Sequence, residues 1–243
     1  MMNKFIIVLL FLGSPVLSFG DARLISPDQE NMRALSFNES DELTLLTDLI
    51  WQNIQQEAGS LRKQVLELAL KGYQQMQEQG LLKEGKPLTV IDFDLPSTQK
   101  RLWVIDMESQ KLQHTSLVSH GKNSGLIKAE KFSNTPESHM SSLGFYLTGE
   151  TYVGKHGASL RLDGLEKGIN DMARSRAIVI HAADYAEPTF LKNYGRLGRS
   201  LGCPALPTEN YEEILALIKE KSCLFIHADE ASYKKQSVFV SQG

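Results

Sequence analysis

Cysteine is scarce in this chain. Two among 243 residues, Cys203 and Cys223, are too few for a disulfide scaffold or a cysteine-rich zinc module. An excess of one charge is also missing: 26 Lys and Arg against 29 Asp and Glu leave −3, with a pI near 6.1, so bulk charge gives no nucleic-acid footprint. Long apolar runs are confined to the first dozen residues, and no later stretch approaches the roughly 18 residues a membrane helix needs. Internal repeats are lacking as well. What remains is 42% hydrophobic and 23% charged, a globular composition with enough chain for one or two domains and a core of its own.

The beginning of the chain reads as an address rather than as structure. Lys4 precedes the apolar run Phe5 to Leu12, Gly13 and Pro15 break it, and Ser18 and Gly20 supply small residues at the −3 and −1 positions before Asp21. This is the pattern of a secretory signal peptide over residues 1–20. Its removal takes the formal charge to −4, leaves no membrane span, and places the protein outside the cytoplasm, in the periplasm or cell envelope.

Two helical patterns follow. Apolar residues recur at Leu43, Leu46, Ile50 and Ile54, then at Leu61, Val65, Leu68, Ala69, Tyr73 and Met76, ending at Gly80. They predict a helical hairpin within an extension at 21–85 that packs on the domain after it. From Leu88 the texture changes to short strand-type runs: 88–95, a hairpin over 102–118 around Glu108-Ser109-Gln110, 145–148, 159–162, 177–181 and 223–226. Short helices are expected at 188–194 and after Thr208, whose hydroxyl is placed to cap a turn with Tyr211, Ile214, Leu215 and Ile218 on its apolar face. Residues 121–144 form a long Ser-, Asn-, Gly- and Lys-rich loop, and 231–243 read as a polar tail. The fold class is therefore mostly β (α+β), with the main domain at 86–230.

Chemistry concentrates between Ile180 and Pro207. Three glycines and two prolines surround Cys203 in the loop 195–207, so backbone N–H groups can come close to a substrate. A thiol attacks as thiolate and is only a few per cent ionised near neutrality. Arg196 and Arg199 are near in sequence and would lower its pKa, and His181, ending an apolar strand, is the best-placed base. The N–H groups of Gly202 and Cys203 can supply an oxyanion site. Local features leave other readings open: a buried structural cysteine, or a Cys203–Cys223 disulfide in an exported chain. The six-residue interval between His156 and Asp163 matches zinc peptidases, but no Trp-His pair follows it.

The segment from His181 to Ser200-Leu201-Gly202-Cys203 resembles the signature of the YkuD-type L,D-transpeptidases. The wider text is similar to the murein L,D-transpeptidase catalytic-domain branch: Ser119 to Gly125, Phe132 to Pro136, Ser142 to Tyr152, Gly154 to Gly157, Leu160 to Glu166, Asn170-Asp171 and Gly195 to Ser200, in that order. The resemblance implies an open β-barrel or sandwich domain, no cofactor and no metal, and peptidoglycan stem peptides as partners. It implies Cys203 as nucleophile, His181 as its base, and Ser200 and Gly202 shaping the loop and oxyanion site. His156, Gly157, Arg199 and Tyr146 are the implied substrate contacts. The implied reaction cleaves the bond between the L-centre of residue three and the terminal D-Ala of a tetrapeptide stem, and passes the acyl group from a thioester to an amine. Hydrolysis of the same thioester would make a carboxypeptidase; a dead thiol would leave a wall-binding module. The chain departs from the broader pattern in carrying Leu201 where His is usual, Ala182 after His181, and Pro204-Ala205 where an aliphatic residue and Arg are common. If Arg199 stands in for that Arg on a substrate carboxylate, Arg199→Ala raises KM for stem peptides; unchanged kinetics remove the idea.

Overall fold

The computed structural model describes residues 27–155 and 157–241, with side chains from Asp41 onward. The expected leader at 1–20 and His156 lie outside the described residues. The chain divides into two compact units, residues 1–39 and 40–243, and the second carries the strands described here. Helix α1 (Pro27–Ile54) begins earlier than its apolar periodicity, and α2 spans Lys63–Glu78. No helix among the described residues is long and apolar enough to cross a membrane.

Eight strands make one sheet: β1 (Leu88–Asp92), β2 (Leu102–Asp106), β3 (Lys111–Ser116), β4 (Gly144–Gly154), β5 (Gly157–Gly164), β6 (Val179–Ala182), β7 (Ala205–Leu206) and β8 (Cys223–His227), ordered β3-β2-β1-β8-β4-β5-β6-β7. The β2–β3 hairpin turns where the sequence predicts it. At the centre β1 and β8 run parallel, Leu88 beside Cys223 through Asp92 beside His227, and every residue of both is buried. Burial on both faces explains why they read as continuous apolar runs rather than alternating ones. The outer edges nearly meet, because the chain leaving β3 bridges Ser119 to Ala205 and Gly121 to Ser200. The mostly β, barrel-like expectation is therefore met.

Helix α2 packs against β1 and β8. At Gly72 an added Cβ would lie 2.1 Å from the ring of Phe145, which itself stacks on Phe225 at 4.3 Å between centroids. Trp103 Nε1 donates to the Ala58 carbonyl at 2.7 Å, tying the turn between the helices to β2. Helix α2 and the turn before it are thus anchored on the sheet, as an apolar stripe requires.

Two expectations fail. Residues 231–241 are not a polar tail. Helix α5 (Ala231–Gln236) and its return bury Tyr233, Phe239 and Val240. The anchor is the buried Glu166 carboxylate, which accepts from the Phe145 N–H (2.7 Å), the Tyr233 hydroxyl (3.3 Å) and the Ser237 hydroxyl. Thr208 does not cap α4 (Tyr211–Ile218) either. Its N–H and hydroxyl both donate to Glu187 Oε1, and Asn210, at φ 58°, precedes the helix instead. A left-handed Asn starts the turn without a side-chain cap.

Alanine improves intrinsic helix propensity over glycine by about 1 kcal/mol, but overpacking costs about 1–3 kcal/mol. At Gly72 the ring must move, so Gly72→Ala lowers stability by roughly 1–2 kcal/mol in urea unfolding. Adding Phe145→Leu recovers part of that loss.

Candidate active site

Strand pairing brings the distant candidates together. β6 lies between β5, with Ser159 opposite His181, and β7, with His181 beside Ala205. Cys203 stands two residues before β7, so its loop is carried to β6. The Cys203 Sγ accepts from the Val179 N–H at 3.4 Å and donates toward the Ala177 carbonyl at 3.7 Å. Val179 and His181 are two apart on one strand and therefore share a face. The thiol thus rests at the entry of the strand whose end carries the imidazole.

The His181 ring is oriented by its own chain. Nδ1 lies 2.9 Å from the Ala182 carbonyl, and a carbonyl only accepts, so Nδ1 carries the proton and Nε2 is the acceptor. The group that holds Nδ1 is thus a main-chain oxygen, and Leu201 is 60% exposed. Nε2 faces the Tyr185 hydroxyl at 3.5 Å. Tyr185 was not visible as a site residue in the sequence. Burial first, and the neighbouring Cys203 second, push its phenol up to about 12, so it stays a donor. It is seated by the loop: Gly198 N donates to Tyr185 O at 2.7 Å, and a Cβ on Gly198 would lie 2.4 Å from that of Tyr185. A cavity of about 410 Å³, lined by Ala182, Ala183, Asp184, Tyr185 and Thr208, opens just beyond His181.

Ser200 is the knot of the loop that carries Cys203. Its Oγ donates to the Cys203 carbonyl at 2.6 Å and accepts from the Gly202 N–H at 3.0 Å. The Gly202 N–H is thereby occupied, which corrects its expected oxyanion role. The Cys203 N–H has no acceptor among the described residues. Gly202 is required by conformation, since φ is 128° and a Cβ would lie 2.9 Å from the Met140 carbonyl. The Ser200 peptide is gripped from both sides, N–H to His120 O at 2.9 Å and carbonyl from Lys122 N at 2.8 Å.

Behind that grip, His120 Nδ1 accepts from Arg101 Nη2 at 2.8 Å, and Nε2 lies 3.3 Å from Gly125 O. Arg101 is fully buried and spends its other donors on the Val118 and Leu95 carbonyls, beneath the Phe93 ring. Burial lowers its pKa to about 9; burial and then the Arg101 charge lower that of His120 to about 3. His120 is thus a neutral spacer holding Ser200.

The remaining candidates separate. Arg199 Nη1 donates to Lys122 O (2.8 Å) and Gly125 O (2.9 Å), while Arg196 Nη1 binds Leu197 O. The cation that acts on the thiol is Arg176, which sequence proximity missed. Burial nevertheless dominates and raises the Cys203 pKa, opposed by the Val179 N–H and by Arg176, so the expected lowering is corrected: the resting thiol is neutral. Tyr146 is fully buried with its hydroxyl on Ser142 O at 3.0 Å, so it has no surface with which to meet a substrate. Gly157 opens β5, exposed, at φ 78°. Both cysteines are free thiols, and Cys223 is core. Asp163 pairs with Arg174. Asp92, Asp94 and His227 offer ligand atoms within 4.8 Å of one another, but the Arg62 guanidinium already bonds both carboxylates and His227 Nδ1 donates to Asp92 at 3.1 Å.

The family model described as an L,D-transpeptidase catalytic domain matches residues 57–227, a span that includes α2 and every strand. No curated protein matches the chain. Among solved structures, an L,D-transpeptidase from Mycobacterium smegmatis is 14% identical over 59% of each chain, with a TM-score of 0.37. L,D-transpeptidase 3 from Mycobacterium tuberculosis is 13% identical over 58% of this chain and 61% of its own (TM-score 0.38). The L,D-transpeptidase of Xylanimonas cellulosilytica is 12% identical over 76% and 92% (TM-score 0.35). The chain thus spans about three-fifths of the first two.

A histidine with a depressed folded pKa stabilises the fold above its unfolded pKa of about 6.5, and that stability drains as pH falls, at up to about 1.4 kcal/mol per unit. Between pH 6.5 and 5 carboxylates barely titrate, so the wild type should lose stability more steeply there than His120→Gln, as read by urea midpoints. Equal slopes would contradict a buried neutral His120.

Proposed function

The chain belongs to the L,D-transpeptidase catalytic-domain family, and from that premise we propose that Cys203 carries the acyl group of a peptidoglycan stem and His181 moves the protons. The observation that supports it most is the Nδ1–H···Ala182 carbonyl contact at 2.9 Å, which presents Nε2 as a base on the strand whose first residue holds Sγ.

A neutral resting thiol needs that base. As a tetrapeptide stem docks, Nε2 takes the Sγ proton and the thiolate attacks the carbonyl of residue three, making a C–S bond. The oxyanion is met by the Cys203 N–H, the donor left without an acceptor. Collapse breaks the C–N bond, and the imidazolium returns its proton to the departing D-Ala amine. A thioester remains, activated toward amines, so no nucleotide is consumed. An acceptor amine then attacks, Nε2 takes its proton, and the thiol is regenerated when the new amide forms. The peptide is exported by the leader at residues 1–20 and works in the cell envelope.

Purified protein incubated with disaccharide-tetrapeptides should release D-Ala and give cross-linked dimers identifiable by mass. Cys203→Ala and His181→Gln should each lower the rate by about 10³-fold or more. Cys223→Ala should leave it intact, as should a chelator. Tripeptides without dimers would mean water is the acceptor. Full activity in Cys203→Ala would refute the thiol mechanism.

A further inference from the structure

Arg176 is satisfied in hydrogen bonding and unsatisfied in charge. Its guanidinium donates to four neutral oxygens: Nη1 to Ser133 O (2.8 Å) and Ser142 Oγ (2.6 Å), Nη2 to Met140 O (2.7 Å) and Ser138 Oγ (3.3 Å). No carboxylate pairs with it among the described residues, in contrast to Arg62, Arg161 and Arg174, each of which sits on an acid. It is half-buried, and burial lowers its own pKa, so its charge is held at a cost that an anion nearby would offset. The place it occupies is specific. Nη2 lies 3.4 Å from where a Gly202 Cβ would stand, and the Met140 carbonyl it grips lies 2.9 Å from the same point. Gly202 immediately precedes Cys203. On the other side, Arg176 leads directly into Ala177, whose carbonyl faces the thiol, and Val179, whose N–H donates to it.

Resting on the reading of Cys203 as the nucleophile, we infer that Arg176 is a positioning residue whose guanidinium is the resident counter-charge of the Cys203 thiolate, held at the glycine side of the loop by the 133–142 segment. Arg199, spent on the Lys122 and Gly125 carbonyls, and Arg196, spent on the adjacent Leu197 carbonyl, do not share this task. The other groups acting on Sγ are the Val179 N–H, which also favours the anion, the Ala177 carbonyl, which disfavours it, and the Tyr185 phenol, a neutral donor. The guanidinium therefore makes the proton easier to remove once His181 is aligned, and it stabilises the thiolate at each turnover when the thioester is cleaved.

The test is the pH dependence of Cys203 alkylation by iodoacetamide, a neutral reagent, followed by intact mass and peptide mapping. Buried Cys223 serves as the internal unreactive thiol. Removing a nearby counter-charge moves a thiol midpoint by about one unit, or about tenfold in rate on the acid side. Arg176→Gln should raise the midpoint by that amount, and Arg176→Lys, which keeps the charge but loses the fork, should restore most of it. An unchanged midpoint in Arg176→Gln, or an Arg176→Lys midpoint equal to that of Arg176→Gln, overturns the inference. Alkylation needs no stem peptide, so the two readings fail separately. Stem turnover with an unmoved midpoint sinks the role of Arg176 alone, whereas a moved midpoint without stem turnover sinks the substrate alone.

Discussion

The pairing of residues 119–121 with residues 200–205 brings the two edges of the sheet nearly together, and the loop that carries Cys203 is shaped by that pairing. Ser119 bridges Ala205, Gly121 bridges Ser200, and the Ser200 peptide is held between His120 and Lys122. A loop with three glycines has no conformation of its own to defend. Here it is held at both ends by ladder hydrogen bonds and in the middle by the Ser200 hydroxyl, so Gly202 can keep φ at 128° and Cys203 can lie against the start of β6. The short strand β7 does double duty, pairing with β6 to set His181 beside the same loop.

Buried charge is handled in three ways around this frame. Arg62 neutralises Asp92 and Asp94 beside His227 and binds the helical preface to the end of the central strands. Arg101, fully buried, is paired with carbonyls and with a histidine kept neutral, which makes a rigid support behind Ser200. Arg176 is paired with neutral oxygens alone, at the loop that carries the thiol. The first two are structural solutions complete in themselves. The third is complete only when something negative forms nearby. Against it, burial favours the neutral thiol, which limits unwanted oxidation; in the proposed reaction the thiolate forms as His181 takes the proton.

Much of this was legible in the sequence. Strands β1, β6 and β8 are written as apolar runs, the β2–β3 hairpin as alternation about a polar turn, and α2 as helical spacing. His181 and Cys203 stood out because a strand end and a glycine-rich loop are where reactive side chains are presented. What escaped depends on distant pairing. Arg196 and Arg199 are near Cys203 along the chain, yet the fold points them at carbonyls and brings Arg176 from 27 positions upstream. Tyr185 carries no signal in the sequence, because Gly198 from a later loop is what seats it beside His181. The last segment reads as polar because its buried residues, Tyr233, Ser237, Phe239 and Val240, include a serine and sit among exposed Ser232, Lys234, Lys235 and Gln236. Tyr146 sits in a motif shared with the family, and its burial shows that a motif residue can serve the core.

Under the proposed mechanism Cys203 becomes covalently acylated by a stem peptide. The most direct measurement is the intact mass of protein quenched in acid seconds after mixing with a disaccharide-tetrapeptide, followed by digestion. The expected result is a mass gain equal to the stem minus D-Ala, located on the peptide containing Cys203 and absent in His181→Gln. An adduct on any other residue, or D-Ala release at full rate with no adduct on Cys203, would contradict it.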